Sequence, residues 1–340
     1  MSTPIRTYAI PGEDLIWSGR CPWTGGLCFG SEQGSLFIQD PNTKDGYDKC
    51  VVTREAVNGV TFSGDFMAVS SCGETSVWKK DRSHAALIEM GAFGVVSSTQ
   101  GLFLAPIGVN GIVRIDPLPP QAVAKLFRPA GSPANVYKII RLGADSGGEV
   151  FACACRRDGL GWFRFKDGMI QPMVQRVVAH DLVDVCALSS SGPPFAVACL
   201  TKEGVIILSR DLVSHTPLVG LAPLSSGQTG YSLLATHRHL ITLTDEELYV
   251  FPDLVSHFLS DQDPKLNAVQ MRTTASDASL MDDDTLLLVE DDFVGEYSIS
   301  DLIEQSRPSS QDGRNGRIDI LTQDASTDRW NDEDVRVQVA

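Results

Sequence analysis

The segment FMAVSSCGETSVWKKD, residues 66–81, decides how this chain folds. An apolar run, FMAVSS, is followed by a short turn that contains glycine and glutamate. A second run then ends at Asp81. Apolar or alternating runs of this length are typical of β-strands, and two of them joined by a short glycine-containing turn predict a β-hairpin.

The same hairpin pattern occurs seven times. Each copy ends in an aspartate, and successive aspartates are 35 to 51 residues apart: Asp40, Asp81, Asp116, Asp167, Asp211, Asp253 and Asp301. Because a carboxylate can accept hydrogen bonds from the backbone N–H groups of a following turn, we expect these residues to stabilise turns. A role in binding is the alternative.

Further strand candidates flank the hairpins, so each unit contains up to four strands. Runs such as GVTF and YSLLA precede hairpins, and runs such as KCVVTR and MVQRVV follow them. A period near 40–45 residues with four strands per unit resembles the WD40 family of β-propellers. The resemblance covers about residues 4–302 and rests on period and strand pattern, because the Trp-Asp pair at the strand ends and the Gly-His pair are absent. It implies an all-β, seven-bladed β-propeller with four-stranded antiparallel blades.

The two ends of the chain offer two ways to close such a ring. Residues 5–10, IRTYAI, precede the first complete unit and predict the outer strand of blade seven, which would remove an open sheet edge. Residues 317–323, RIDILTQ, are the alternative. We interpret residues 303–316 as a flexible linker, and residues 317–340 as a possible extra strand followed by a short flexible acidic tail.

Composition excludes several classes of protein. No apolar stretch approaches the roughly 20 residues of a membrane-spanning helix, and the first residues lack the pattern of a secretory signal. The eight cysteines lack zinc-ligand spacing, and no Asn-x-Ser/Thr sequon occurs. These features favour a reducing, cytoplasmic location with free thiols.

Negative charge is concentrated in one region. The formal net charge is −15, and residues 239–306 contain 16 acidic residues against Lys265 and Arg272. We therefore predict that this region binds a partner protein with a basic surface, through Asp245, Glu246, Glu247, Asp282, Asp283, Asp284, Glu290, Asp291 and Asp292. A merely solubilising surface is the alternative. The two aspartate-rich clusters flank TLLLV, residues 285–289, which spans about 17 Å as a strand, so we expect them at opposite mouths of the ring.

The net charge disfavours nucleic acid as a partner because it repels polyanions at long range. The hairpin with Arg156, Arg157, Trp162, Arg164 and Lys166 supplies only a few positive charges against −15. Ordinary charge on the outer rim explains that hairpin.

No catalytic motif of nucleotide, serine-hydrolase or zinc-protease type is present. His237 and His239 could share a metal with Asp245, although a histidine pair without metal is the more common outcome. We therefore predict a non-enzymatic interaction scaffold without cofactor, metal or catalytic residues, acting as a subunit of a larger hetero-complex. The alternative is a metal-dependent lactonase or hydrolase whose carboxylate ligands come from separate blades and meet in the channel.

Overall fold

The structure is a computed structural model. It describes residues 3–40, 42, 46–99, 101–107, 111–116, 123–127, 136–155, 159–176, 182–188, 196–201, 204–209, 219–220, 230–259, 268–291 and 293–305. Within these residues the chain forms 28 strands and two short helices. The possible strand at residues 317–323 and the predicted acidic tail lie outside the described residues.

The strands form seven sheets of four, which we call blades one to seven. In chain order they are β1 (Arg6–Tyr8); β2 (Leu15–Arg20), β3 (Leu27–Ser31), β4 (Ser35–Gln39) and β5 (Tyr47–Val51) in blade one; β6 (Gly59–Ser63), β7 (Phe66–Ser70), β8 (Thr75–Lys79) and β9 (His84–Ile88) in blade two; β10 (Ala92–Ser98), β11 (Gly101–Pro106), β12 (Ile112–Asp116) and β13 (Val123–Phe127) in blade three; β14 (Lys138–Asp145), β15 (Gly148–Cys155), β16 (Gly159–Lys166) and β17 (Met169–Arg176) in blade four; β18 (Leu182–Leu188), β19 (Ala196–Thr201), β20 (Gly204–Ser209) and β21 (Val219–Gly220) in blade five; β22 (Gly230–Ala235), β23 (Leu240–Thr244), β24 (Glu247–Phe251) and β25 (Val269–Arg272) in blade six; and β26 (Asp277–Leu280), β27 (Thr285–Val289) and β28 (Val294–Ser298) in blade seven.

The first strand completes the last blade. β1 pairs antiparallel with β28, with Arg6 opposite Glu296 and Tyr8 opposite Val294. The prediction that the N-terminal segment supplies the outer strand of blade seven is therefore confirmed, and so is the seven-bladed β-propeller.

Each blade is antiparallel throughout, and the first strand of each blade lines a central channel. The inner strands of neighbouring blades lie side by side around most of the ring, whereas those of blades one and two, β2 and β6, are more widely separated. Seven apolar clusters fill the seven interfaces between blades, such as Phe103, Phe151 and Phe165 between blades three and four. The second and third strands are apolar on both faces because each face packs against a different neighbouring blade.

Several inner strands have an irregular register, near the beginning of the strand in blades one, three, five and six and near the middle of β14 in blade four. A shift of register interrupts the pairing of the inner strand with its neighbour in five blades: one, three, four, five and six. A bulge of this kind increases local twist and changes the direction of a side chain. The shift falls at Phe93 in blade three and at Tyr231 in blade six.

Two helices follow third strands, α1 (Leu254–Leu259) in blade six and α2 (Ile299–Gln305) in blade seven. α2 includes residues 303–305, the first three of the segment interpreted as a linker. The expected role of the closing aspartates is seen at two turns, since Asp40 Oδ1 accepts from the Asn42 N–H at 2.8 Å and Asp81 Oδ1 accepts from the Ser83 N–H at 2.9 Å. Among the described residues, no helix is long and apolar enough to cross a membrane.

Antiparallel order assigns every connection to one of two faces. The upper face carries the connections between second and third strands and those that lead from one blade to the next inner strand. The lower face carries the connections between first and second strands and those after third strands. Hydrogen bonds within each face agree with this assignment: Thr273 N–H donates to Glu246 O on the upper face, and Val255 N–H donates to Arg238 O on the lower face.

Candidate functional site

The nine predicted partner-binding residues divide between the two faces. Asp245 and Glu246 connect β23 to β24, and Glu247 begins β24, so these three lie on the upper face with Glu290 and Asp291, which follow β27. The three residues Asp282, Asp283 and Asp284 precede β27 and lie on the lower face. Asp292 lies outside the described residues. The expectation that the two clusters occupy opposite ends of TLLLV is confirmed, so the nine residues do not form one surface.

The lower-face aspartates are engaged within the molecule. Asp282 Oδ1 accepts from the Asp284 and Thr285 N–H groups at 2.9 and 2.8 Å. Asp283 Oδ1 lies 2.8 Å from His237 Nδ1, and hydrogen bonding to that histidine lowers the pKa of the aspartate.

Asp284 holds the first residues of α2. Its Oδ1 accepts from the Ser300 N–H at 2.9 Å and from the Ser300 hydroxyl at 2.6 Å. Burial acts to raise the pKa of Asp284, but the hydrogen bonds from Ser300 and Ser298 outweigh it and the pKa is lowered. These three carboxylates therefore stabilise turns and a helix start.

The two histidines lie at the lower end of β23, whereas Asp245 lies at its upper end. The suggested metal site of His237, His239 and Asp245 is therefore wrong, because a five-residue strand separates the groups. His239 is 5% exposed, its Nδ1 accepts from the Asp253 N–H at 3.0 Å, and burial lowers its pKa. No group of three or more His, Cys, Asp or Glu side chains in the described ranges could hold a metal ion.

Carboxylates on the upper face are more available. Five exposed carboxylates there form no hydrogen bond or ion pair with any described residue: Glu32, Glu55, Glu89, Glu246 and Asp291. Two others, Glu247 and Glu290, accept hydrogen bonds from the hydroxyls of Tyr249 and Tyr297 at 2.6 and 2.7 Å. Among the described residues, the exposed bases near this end of blades six, seven, one and two are Lys49, which pairs with Glu13, Arg54, with Nε 3.9 Å from Glu74, and Arg272.

Sequence reasoning missed Glu32, Glu55 and Glu89 because it counted charge along the chain. Blades one and two have nearly balanced charge, but bases such as Lys79, Lys80 and Arg82 lie at the lower end of blade two. The upper face of blades six, seven, one and two is therefore acidic as a unit, and we call it the acidic face.

An ion pair between blades four and five lies in the channel. Lys138 Nζ on β14 lies 2.5 Å from Asp184 Oδ1 on β18. Asp184 is 2% exposed, and its carboxylate also accepts from the Val185 and Leu233 N–H groups, both at 2.7 Å. This carboxylate therefore links the inner strands of blades four, five and six.

Asp277, on the inner strand of blade seven, is the second carboxyl group in the channel. Burial, partly offset by the attraction of Lys138, raises the pKa of Asp277 to about 7. The negative charge of Asp184 contributes to the same shift. The channel therefore contains two carboxyl groups that interact with the Lys138 ammonium group. Asp184 is in direct contact with it, whereas Asp277 has a raised pKa.

Comparisons with known proteins show the fold alone. The Cps50 (Swd1) β-propeller domain of Myceliophteria thermophila matches with a TM-score of 0.65 and 10% identity over 86% of this chain and 99% of that domain. The extracellular domain of the putative one component system BT4673 from B. thetaiotaomicron matches with a TM-score of 0.60 and 12% identity, over 86% of this chain and 40% of that chain. No family model and no curated protein matches the sequence.

Proposed function

We propose that this chain is a non-enzymatic protein-interaction scaffold whose acidic face binds a basic surface of a partner within a larger complex. The observation that carries the proposal is the set of five exposed carboxylates without partners in the described structure, Glu32, Glu55, Glu89, Glu246 and Asp291. Complementary charge increases the rate of association and the specificity of a protein interface.

The rigidity of the face supports the same role. Backbone hydrogen bonds join neighbouring upper-face connections, for example from Glu32 N–H to Asp14 O at 2.8 Å and from Ala92 N–H to Ser71 O at 3.1 Å. A surface that is already ordered loses little conformational entropy when a partner binds. The acidic face is therefore suited to present its charges in a fixed arrangement.

We propose the cytoplasm as the location of this complex. No disulfide joins any of the eight cysteines, although the Sγ atoms of Cys153 and Cys155 lie only 3.7 Å apart. Free thiols in close proximity are typical of reducing compartments.

The test compares equal changes of charge on the two faces. The upper variant combines Glu55→Lys, Glu246→Lys and Asp291→Lys. The lower variant combines Asp65→Lys, Asp301→Lys and Glu304→Lys, whose carboxylates are also exposed and form no hydrogen bond or ion pair with any described residue. Both variants change the net charge by the same amount, so a difference between them reports the face and not the total charge.

The tagged chain and both variants are purified from native cells, and co-purifying proteins and bound metals are measured in the same eluate. We expect a stoichiometric partner to co-purify with the parent and with the lower variant. At low salt, the affinity of the upper variant for this partner should be at least about tenfold lower than that of the parent. Equal binding by both variants would remove the acidic face from consideration. One equivalent of a divalent ion without a protein partner would instead favour the metal-dependent hydrolase.

A further inference from the structure

A cavity of about 670 Å³ opens at the lower end of the channel, away from the acidic face. It lies between β2 and β6, the inner strands of blades one and two, and reaches β26 of blade seven. Its lining includes Trp17, Arg20, Val60, Phe62 and Ser279. Small-molecule sites have this size and this combination of an apolar wall with a few polar groups.

The wall is formed by an indole ring that lies along its own strand. A Cβ atom at position 19 would lie 2.5 Å from Cη2 and 2.8 Å from Cζ2 of Trp17, so only glycine permits this position of the ring. Val60 and Phe62 of β6 extend the apolar surface into blade two. The ring of Trp23 packs edge-on against Phe62 with 5.0 Å between centroids, and its Nε1 donates to Gly64 O at 2.8 Å. The aromatic wall is therefore fixed by packing and by a hydrogen bond.

Arg20 supplies the positive charge of this cavity. Its Nε donates to Gly25 O at 3.2 Å, which orients the guanidinium group. Within the described part of the chain, its terminal nitrogens form no hydrogen bond or ion pair. Arg20 differs in this respect from the cations Lys138 and Arg141, which form ion pairs with Asp184 at 2.5 Å and with Glu149 at 2.9 Å. A guanidinium with free terminal N–H groups is suited to a carboxylate or sulfonate, which it can bind with two hydrogen bonds.

We propose that this cavity is a binding site for a small planar aromatic anion, with the ring packed on Trp17 and the anionic group bound by Arg20. The aromatic wall is the reason for proposing an aromatic ring, and the Arg20 guanidinium is the reason for proposing an anionic group. The hydroxyls of Ser18 and Ser279, whose oxygens lie 2.8 Å apart, add polar groups near the wall. The site lies on the opposite side of the ring from the acidic face and does not depend on the proposed function.

The probe is 8-anilinonaphthalene-1-sulfonate, a fluorescent aromatic anion, titrated into the full-length chain. Its uncharged analogue N-phenyl-1-naphthylamine measures the contribution of the ring alone. We expect one saturable site for the sulfonate. Arg20→Gln should weaken binding of the sulfonate about tenfold and binding of the uncharged probe less than about twofold. The matched control Arg54→Gln removes an exposed arginine from the upper face and should leave both affinities unchanged.

Two further variants separate binding from loss of folding. Arg20→Lys keeps the charge without the paired hydrogen bonds and should bind the sulfonate with intermediate affinity. Gly19→Ala should displace the indole and weaken binding of both probes. Only variants whose urea midpoint is unchanged are compared. The proposal is overturned if no saturable binding occurs, if Arg20→Gln and Arg54→Gln bind the sulfonate equally, or if Arg20→Gln affects both probes alike.

Discussion

Replacing Asp277 with asparagine should stabilise the protein at alkaline pH. Burial, partly offset by Lys138, raises the pKa of this carboxyl group from 3.8 to about 7. When the pKa of a carboxyl group is higher in the folded state than in the unfolded state, the free energy of unfolding falls as the pH rises from the unfolded-state pKa to the folded-state pKa. The ionised carboxylate therefore has its full unfavourable effect above about pH 7. Asparagine cannot ionise, and it keeps an oxygen that can accept the backbone hydrogen bonds.

The size of the effect follows from the shift. A change from 3.8 to about 7 at 1.36 kcal/mol per unit gives an upper limit of about 4 kcal/mol. Asp277 is partly exposed to the channel, and water screens its charge, so we expect about 1–2 kcal/mol above pH 7. The advantage of the variant should grow between pH 5 and pH 7 and then become constant.

The assay is urea unfolding followed by tryptophan fluorescence at pH 5, 6, 7 and 8. Asp291→Asn, which removes an exposed carboxylate on the acidic face, serves as the control for the loss of one negative charge. The reasoning is refuted if the advantage of Asp277→Asn does not change with pH, or if the variant is less stable than the parent at pH 8. The second result would mean that ionised Asp277 is held by Lys138 strongly enough to stabilise the fold.

Three other predictions concern stability and are measured by urea or thermal midpoints. Asp284→Ala should cost about 1–2 kcal/mol because α2 loses the acceptor of two hydrogen bonds, whereas Asp284→Asn should cost less. Gly34→Ala should cost more than Gly12→Ala, because both glycines have positive φ but only at Gly34 would a Cβ meet a carbonyl oxygen, at 2.3 Å; equal costs would assign the effect to backbone conformation alone. Deleting β1 should open blade seven and lower the thermal midpoint by several degrees, whereas deleting only residues 1–4 should not.

The hairpins could be read from the sequence because their strands pack on both faces. Residues 27–31 and 66–70, for example, are almost entirely buried, so local composition alone indicates a strand. The inner strand of blade seven, DASL at 277–280, carries no such signal. It is four residues long and begins with Asp277, which faces the channel and not an apolar neighbour. Two outer strands, VG at 219–220 and VQMR at 269–272, are also too short for a periodic pattern.

The candidate site was only partly predictable, because charge along the chain does not specify a face. Asp245 and Asp282 belong to the same acidic region of the sequence but lie on opposite faces. In an antiparallel blade, consecutive connections alternate between the faces. Counting acidic residues only in every second connection would have brought Glu32, Glu55 and Glu89 together with Asp245 and would have separated Asp282 from them.

This alternation also determines which mutations can test the proposed function. Charge reversal at Asp282, Asp283 and Asp284 would be the first choice from charge arithmetic, because these three residues form a dense cluster. The structure shows that all three accept hydrogen bonds from the lower face itself. A variant that lost partner binding there would not distinguish a lost contact from a disrupted α2 and a disrupted contact between blades six and seven. Side chains such as Glu246 and Asp291 have no such role among the described residues, so their substitution changes surface charge with little effect on folding.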